Sequence, residues 1–113
     1  MMVKKIKIIE FEEFETRCKT LAKIIKSNKS IKNIYGVARG GCIPAIRISY
    51  LTGKPITGFP HFKETAVIED FLNTGMTRHS FGNFTYFFPL VDKQEEKILD
   101  WIKFWYEAEL YEK

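Results

Sequence analysis

Apolar and polar residues change their period along the chain, and each change marks an element. Across residues 3–9, Val3, Ile6, Ile8 and Ile9 alternate with Lys4, Lys5 and Lys7, the pattern of a strand at a sheet edge. From Glu10 the period lengthens. Phe11, Phe14, Cys18, Leu21, Ile24 and Ile25 recur at helical spacing until Ser27-Asn28 breaks the pattern, which predicts a helix of about four turns. A β-branched and aromatic run over residues 31–37 then gives way to Gly40-Gly41. Ile43-Pro44 opens a second helix, because proline needs no amide partner in a first turn, and Gly53 ends it. Further short strands are predicted over 54–59, with Pro55 confined to the start, over 65–70 and over 85–88. In the last stretch Asp92-Lys93-Gln94-Glu95 reads as a capping box, and Ile98, Trp101, Ile102 and Trp105 fall at helical spacing. An amphipathic terminal helix follows, with its tryptophans in the core or at a dimer interface.

Strand, loop, helix and strand in succession imply an α/β fold with a small parallel sheet and right-handed crossovers. A length of 113 residues allows one domain, spanning 1–113, with a single core. The composition, 45% hydrophobic and 15% aromatic, supplies enough apolar surface to fold. A formal charge of +4 is too small to indicate a nucleic-acid binder, and its lysines, concentrated at Lys4, Lys5 and Lys7 and through Lys19, Lys23, Lys26, Lys29 and Lys32, read as a strand edge and a solvated helix face, although the basic bias suits a phosphorylated small molecule. Cys18 and Cys42 stand in no metal-ligand or redox spacing, which fits a reducing compartment. The amino terminus has no signal-type apolar run and no stretch is long enough to span a bilayer, so the cytoplasm is the expected location. The aromatic run Phe81, Phe84, Tyr86, Phe87 and Phe88 reads as core packing, with enough apolar surface left in so small a domain to suggest a homodimer.

Candidate chemistry lies in two loops at the carboxyl ends of predicted strands, where ligands of parallel α/β sheets bind. Ala38, Arg39, Gly40 and Gly41 follow the 31–37 strand; Asn73, Thr74, Gly75, Met76 and Thr77 follow the 65–70 strand. Glycines let the backbone approach an anion, and a helix amino terminus favours negative charge. Between the loops stand Glu69 and Asp70. Adjacent carboxylates there suit the vicinal hydroxyls of a sugar, or a hydrated Mg²⁺ carried by a diphosphate. Neither a Walker loop nor a G-x-G-x-x-G is present.

VIEDFLNTGMT, residues 67–77, resembles the phosphoribosyl-diphosphate motif of the type I phosphoribosyltransferases, and IYGVARGGCIPAIRISYLTGKPI is similar to that family's pyrophosphate loop and following helix. The likeness is closest to the purine-salvage branch and covers residues 8–77. It implies that Glu69 and Asp70 hold the ribose hydroxyls with Mg²⁺ nearby, that residues 73–77 surround the 5-phosphate, and that residues 38–41 form the pyrophosphate loop, with a cis peptide at Arg39–Gly40. DWIKFWYE loosely resembles the hood segment that contacts purines, which would make Trp101 and Ile102 base-binding. The implied reaction converts a nitrogenous base, purine first, into its 5′-nucleotide with release of pyrophosphate.

Such a reaction needs no protein nucleophile, so His61 and His79 need no catalytic role. Where the purine branch commonly has Asp, this chain has Asn73, and an amide cannot take a proton from the base. The segment between the motifs is too short for a mobile flap, with residues 58–64 as a stub of one. These departures support an alternative: a catalytically weakened relative that binds a nucleotide or sugar phosphate as a sensor or regulatory partner.

Overall fold

The computed structural model describes residues 5–72 and 86–107. Along the chain these form β1 (Ile6–Ile9), α1 (Phe11–Ser27), β2 (Asn33–Gly36), α2 (Cys42–Thr52), β3 (Thr65–Leu72), β4 (Tyr86–Asp92) and β5 (Trp101–Phe104). One sheet has the order β2-β3-β4 and a second pairs β1 with β5; every pairing is parallel.

Helix α1 buries Phe14, Cys18, Ala22 and Ile25, a single stripe three to four residues apart. Glu12 and Glu13 in its first turn and Lys26 in its last complement the helix dipole. Helix α2 buries Pro44, Ala45 and Ile48 and stops at Gly53, whose φ of 76° no β-branched residue would adopt readily. Strand β3 is central and buried from Thr65 to Glu69, as expected of a strand with both neighbours paired and both faces covered. The core joins α1 and α2 to Ile34, Ala66, Ile68, Val91, Ile102 and Phe104.

Three expectations are corrected. Residues 54–59 form no strand; they make one parallel bridge, Ile34 to Ile56, in which Ile34 N donates to Pro55 O at 2.9 Å and Thr57 N to Ile34 O at 2.8 Å. Strands β3 and β4 run past their predicted ends, to Leu72 and Asp92. Strand β4 continues through Pro89 because, among the described residues, it is an edge strand whose outer side needs no amide donor.

The terminal segment is the third correction, since it is not a helix. Asp92 Oδ1 does accept the amides of Gln94 and Glu95, each at 3.1 Å, and Glu96 Oε2 accepts the Asp92 amide at 3.3 Å. The cap forms, but the turn it starts ends at Lys97, whose φ is 57°. The chain then extends into β5, which pairs with β1 in the register Ile6 to Trp101 and Ile9 to Phe104. As a strand, β5 sends Ile102 and Phe104 into the core from alternate positions. Residues 105–107 close with a short 3₁₀ turn. Among the described residues no helix is long and apolar enough to cross a membrane.

Candidate functional site

Strand β2 leads directly into the first loop. Val37 N still donates to Ile68 O of β3 at 2.9 Å; the chain then turns, with Gly41 N donating to Val37 O at 2.8 Å and Cys42 N to Arg39 O at 3.1 Å. A cis peptide is present, but it joins Ala38 to Arg39, one residue earlier than expected. Space dictates the glycines. A Cβ on Gly36 would lie 2.7 Å from Cys42 Cα, and one on Gly41 would overlap Ile68 O. At Gly40 it would overlap Asp70 Oδ2. The pyrophosphate-type loop and the acidic pair, read separately from the sequence, are therefore in contact.

Among the described residues the amides of Ala38, Arg39 and Gly40 have no hydrogen-bond partner. Helix α2 begins just beyond them with no side-chain cap at Gly41 and no acid in its first turn. A helix start of this kind can favour an anion.

The two carboxylates differ. Asp70 is half-buried and its Oδ1 accepts the Phe71 amide at 2.7 Å, while Glu69 is buried and its Oε1 accepts the Asp70 amide at 3.0 Å. Neighbouring positions on a strand face opposite ways. Only Asp70 lines the cleft, a space of about 390 Å³ bounded by Arg39, Gly40, Ile43, Asp70, Tyr106 and Glu107.

Tyr106 and Glu107 were not among the expected site residues, although DWIKFWYE contains both; read as a helix, that stretch gave no reason to place them over the loop. Tyr106 Oη donates to Gly40 O at 3.4 Å. Burial, and then the negative charges of Asp70, Glu107 and Glu69, push its hydroxyl far above the ordinary tyrosine value, so it remains a donor. Glu107 Oε1 accepts the Phe104 amide at 3.0 Å, which ties the turn to β5.

Trp101 and Ile102 do not line this cleft. Trp101 meets Phe71 edge-on with ring centres 6.4 Å apart, and Ile102 is 2% exposed within the core. Asn73, Thr74, Gly75, Met76, Thr77 and His79 lie outside the described residues. His61 stands away from the cleft, with its ring against Phe59 and its amide donating to Thr65 Oγ1 at 2.7 Å. The expected flap stub is a tight turn in which His61 O accepts the amides of Glu64 and Thr65, each at 3.1 Å. Burial pushes the Cys18 thiol up to about 12, so it is inert.

A metal can be tested against these donors. Among the described residues no three His, Cys, Asp or Glu side chains converge as a metal site. Asp70, with Glu69 behind it, suits Mg²⁺ only as an ion that keeps waters and takes further ligands from a bound diphosphate.

No family model and no curated protein matches the chain. Solved structures do. A purine phosphoribosyltransferase from Pyrococcus horikoshii superposes with a TM-score of 0.64 at 18% identity, over 88% of this chain and 92% of that one. The xanthine-guanine-hypoxanthine phosphoribosyltransferase of Helicobacter pylori superposes with a TM-score of 0.67 at 14% identity, over 96% of each chain. The chain has the type I phosphoribosyltransferase fold, in a short form. The cleft lies between the loop after β2, the start of α2, the acidic strand β3 and the turn that follows β5.

Proposed function

We propose that the chain is a phosphoribosyltransferase: it binds phosphoribosyl diphosphate with Mg²⁺ and transfers the phosphoribosyl group to a nitrogenous base, purine first, releasing pyrophosphate. The observation that supports this reading is the contact between Gly40 and Asp70, which brings the amides of the 38–41 loop and the Asp70 carboxylate to one cleft. Asp70 accepts hydrogen bonds from the ribose hydroxyls and opposes positive charge developing at the anomeric carbon. The amides of Ala38, Arg39 and Gly40, with the amino terminus of α2, hold the leaving pyrophosphate. Mg²⁺, when bound, neutralises charge on the diphosphate. Alignment of base and sugar supplies most of the rate.

The second reading is a binding protein for a nucleotide or sugar phosphate. Asn73 in place of an acid and the tight turn at 61–65 in place of a flap favour it. Thermal melts separate the two. A ligand at a hundred times its dissociation constant stabilises the fold by about 2.7 kcal/mol. Stabilisation by phosphoribosyl diphosphate with Mg²⁺ and turnover on a purine supports the enzyme; stabilisation without turnover on any base supports the binding protein; no shift with either the diphosphate or 5′-nucleotides rejects both. The proposal extends to a homodimer, supported by Ile43, Ile46 and Tyr50 standing 40%, 50% and 81% exposed on α2. Sedimentation as a monomer at micromolar concentration removes that part.

A further inference from the structure

Gly40 is confined from two sides. On one, the Asp70 carboxylate leaves no room for a Cβ. On the other, the Gly40 carbonyl accepts the Tyr106 hydroxyl at 3.4 Å. Tyr106 arrives from the other end of the sequence, and its ring is clamped: stacked on Phe104 at 5.4 Å and 12°, and edge-on to Phe14 at 5.8 Å and to Trp105 at 5.3 Å. The hydroxyl is thus carried on a fixed ring.

The need for a clamp follows from the glycine. Without a Cβ, the dihedrals on either side of Gly40 are soft, so the directions of the peptide planes flanking it depend on the hydrogen bonds each plane makes. A carbonyl and the following N–H share one rigid plane. Val37 O holds the Gly41 amide end of the 40–41 plane at 2.8 Å, and Tyr106 holds its carbonyl end. In the preceding plane Arg39 O accepts the Cys42 amide at 3.1 Å, so both planes that flank Gly40 are held and its amide has a defined direction.

We infer that Tyr106 is a positioning residue: through the Gly40 carbonyl its hydroxyl fixes the loop amides toward an anion in the cleft, so that the pyrophosphate end of a ligand is read in part by the C-terminal turn. The inference rests on the phosphoribosyl-diphosphate reading of the same cleft. Its consequence is that hood and loop act together, since a shift of β5 or of the turn after it moves the anion donors.

The full-length chain is tested with Mg²⁺-pyrophosphate as the probe, by calorimetry, alongside thermal melts. Tyr106→Leu removes both ring and hydroxyl; Tyr106→Phe keeps the ring and removes only the hydroxyl. In Tyr106→Phe most of the melting temperature lost in Tyr106→Leu is recovered, because the ring cluster is kept, while the pyrophosphate dissociation constant stays raised by up to about fivefold, the limit set by the worth of one neutral hydrogen bond. A purely structural tyrosine gives a different result, with phenylalanine restoring melting temperature and pyrophosphate affinity together. That result overturns the inference and leaves the proposed function standing. A wild-type chain that binds no pyrophosphate overturns both. Should Tyr106→Leu fail to fold, Tyr106→Phe against wild type still decides.

Discussion

The two walls of the cleft are built by opposite means. The wall made by β2, the 38–41 loop and α2 is shaped by backbone brought so close that glycine alone fits: Gly36 against Cys42, Gly41 against Ile68 O and Gly40 against Asp70. The wall made by β5 and the turn after it is shaped by bulk, with Phe104, Tyr106, Trp105 and Phe14 filling space ring against ring. Close backbone contact aims amides accurately but tolerates no added atom, whereas a packed aromatic cluster tolerates similar volumes and is lost when volume is removed. The walls should therefore fail to different substitutions.

The largest expected effect is on the packed wall. Phe104 is fully buried between Phe14 and Tyr106, and Phe104→Ala should cost about 3–5 kcal/mol of stability by chemical denaturation. Phe104→Leu should cost much less, because the cluster can shift around a similar volume. Equal costs for the two would show that shape, not volume, governs this wall. Next comes the steric wall. A Cβ at Gly41 meets a backbone carbonyl that β3 holds in place, so Gly41→Ala should cost about 3 kcal/mol, the upper end for overpacking. A cost below about 1 kcal/mol would mean that the loop can move aside.

The same contrast decides what could be read from residue order. Helices α1 and α2 and strands β2 and β3 announce themselves locally, through Phe14, Cys18 and Ile25 at helical spacing, Pro44 near a helix start, Gly53 at a helix end and β-branched runs. The 38–41 loop and the acidic pair were legible for the same reason. Their contact was not, because nothing in the order of residues states that Gly40 touches Asp70. Strand β5 was hidden for a related reason. Its four residues, Trp101–Phe104, are too few to fix a period, and together with Ile98 and Trp105 they also fit a helix. Pairing with β1, from the other end of the chain, settles the matter, and no local pattern encodes it. The cap at Asp92 was read correctly, yet Lys97 ends its turn at once.

A third substitution separates chemistry from construction at the point where the strand and the loop meet. Asp70→Asn keeps the size of the side chain beside Gly40 and removes its charge. Stability should change little, while affinity for phosphoribosyl diphosphate should fall by about 2 kcal/mol, the worth of hydrogen bonds to a charged acceptor. Calorimetry with that ligand checks it, and unchanged affinity would remove Asp70 from the sugar site.

The smallest expected effect concerns the support behind the packed wall. Arg17 of α1 donates to Glu96 Oε1 at 2.7 Å and Oε2 at 2.9 Å, to Glu13 Oε2 at 3.0 Å and to Leu90 O at 3.2 Å, linking the helix to β4 and to the turn that leads into β5. The Arg17 guanidinium holds the Glu96 carboxyl below its ordinary value of 4.5. A carboxyl whose folded value is depressed adds stability above its unfolded value and loses it as pH falls through the folded one. The contribution should therefore be complete at pH 7 and disappear progressively below about pH 4.5. Arg17 itself, raised further by Glu96, does not titrate in that window. Because about a third of the Glu96 side chain is exposed, 35%, solvent screening limits the gain to about 0.5–1 kcal/mol. Glu96→Gln should be destabilised by that amount at neutral pH, and the gap to wild type should close in acid. A gap that stays constant across the range would assign the loss to packing of the turn and not to the ion pair.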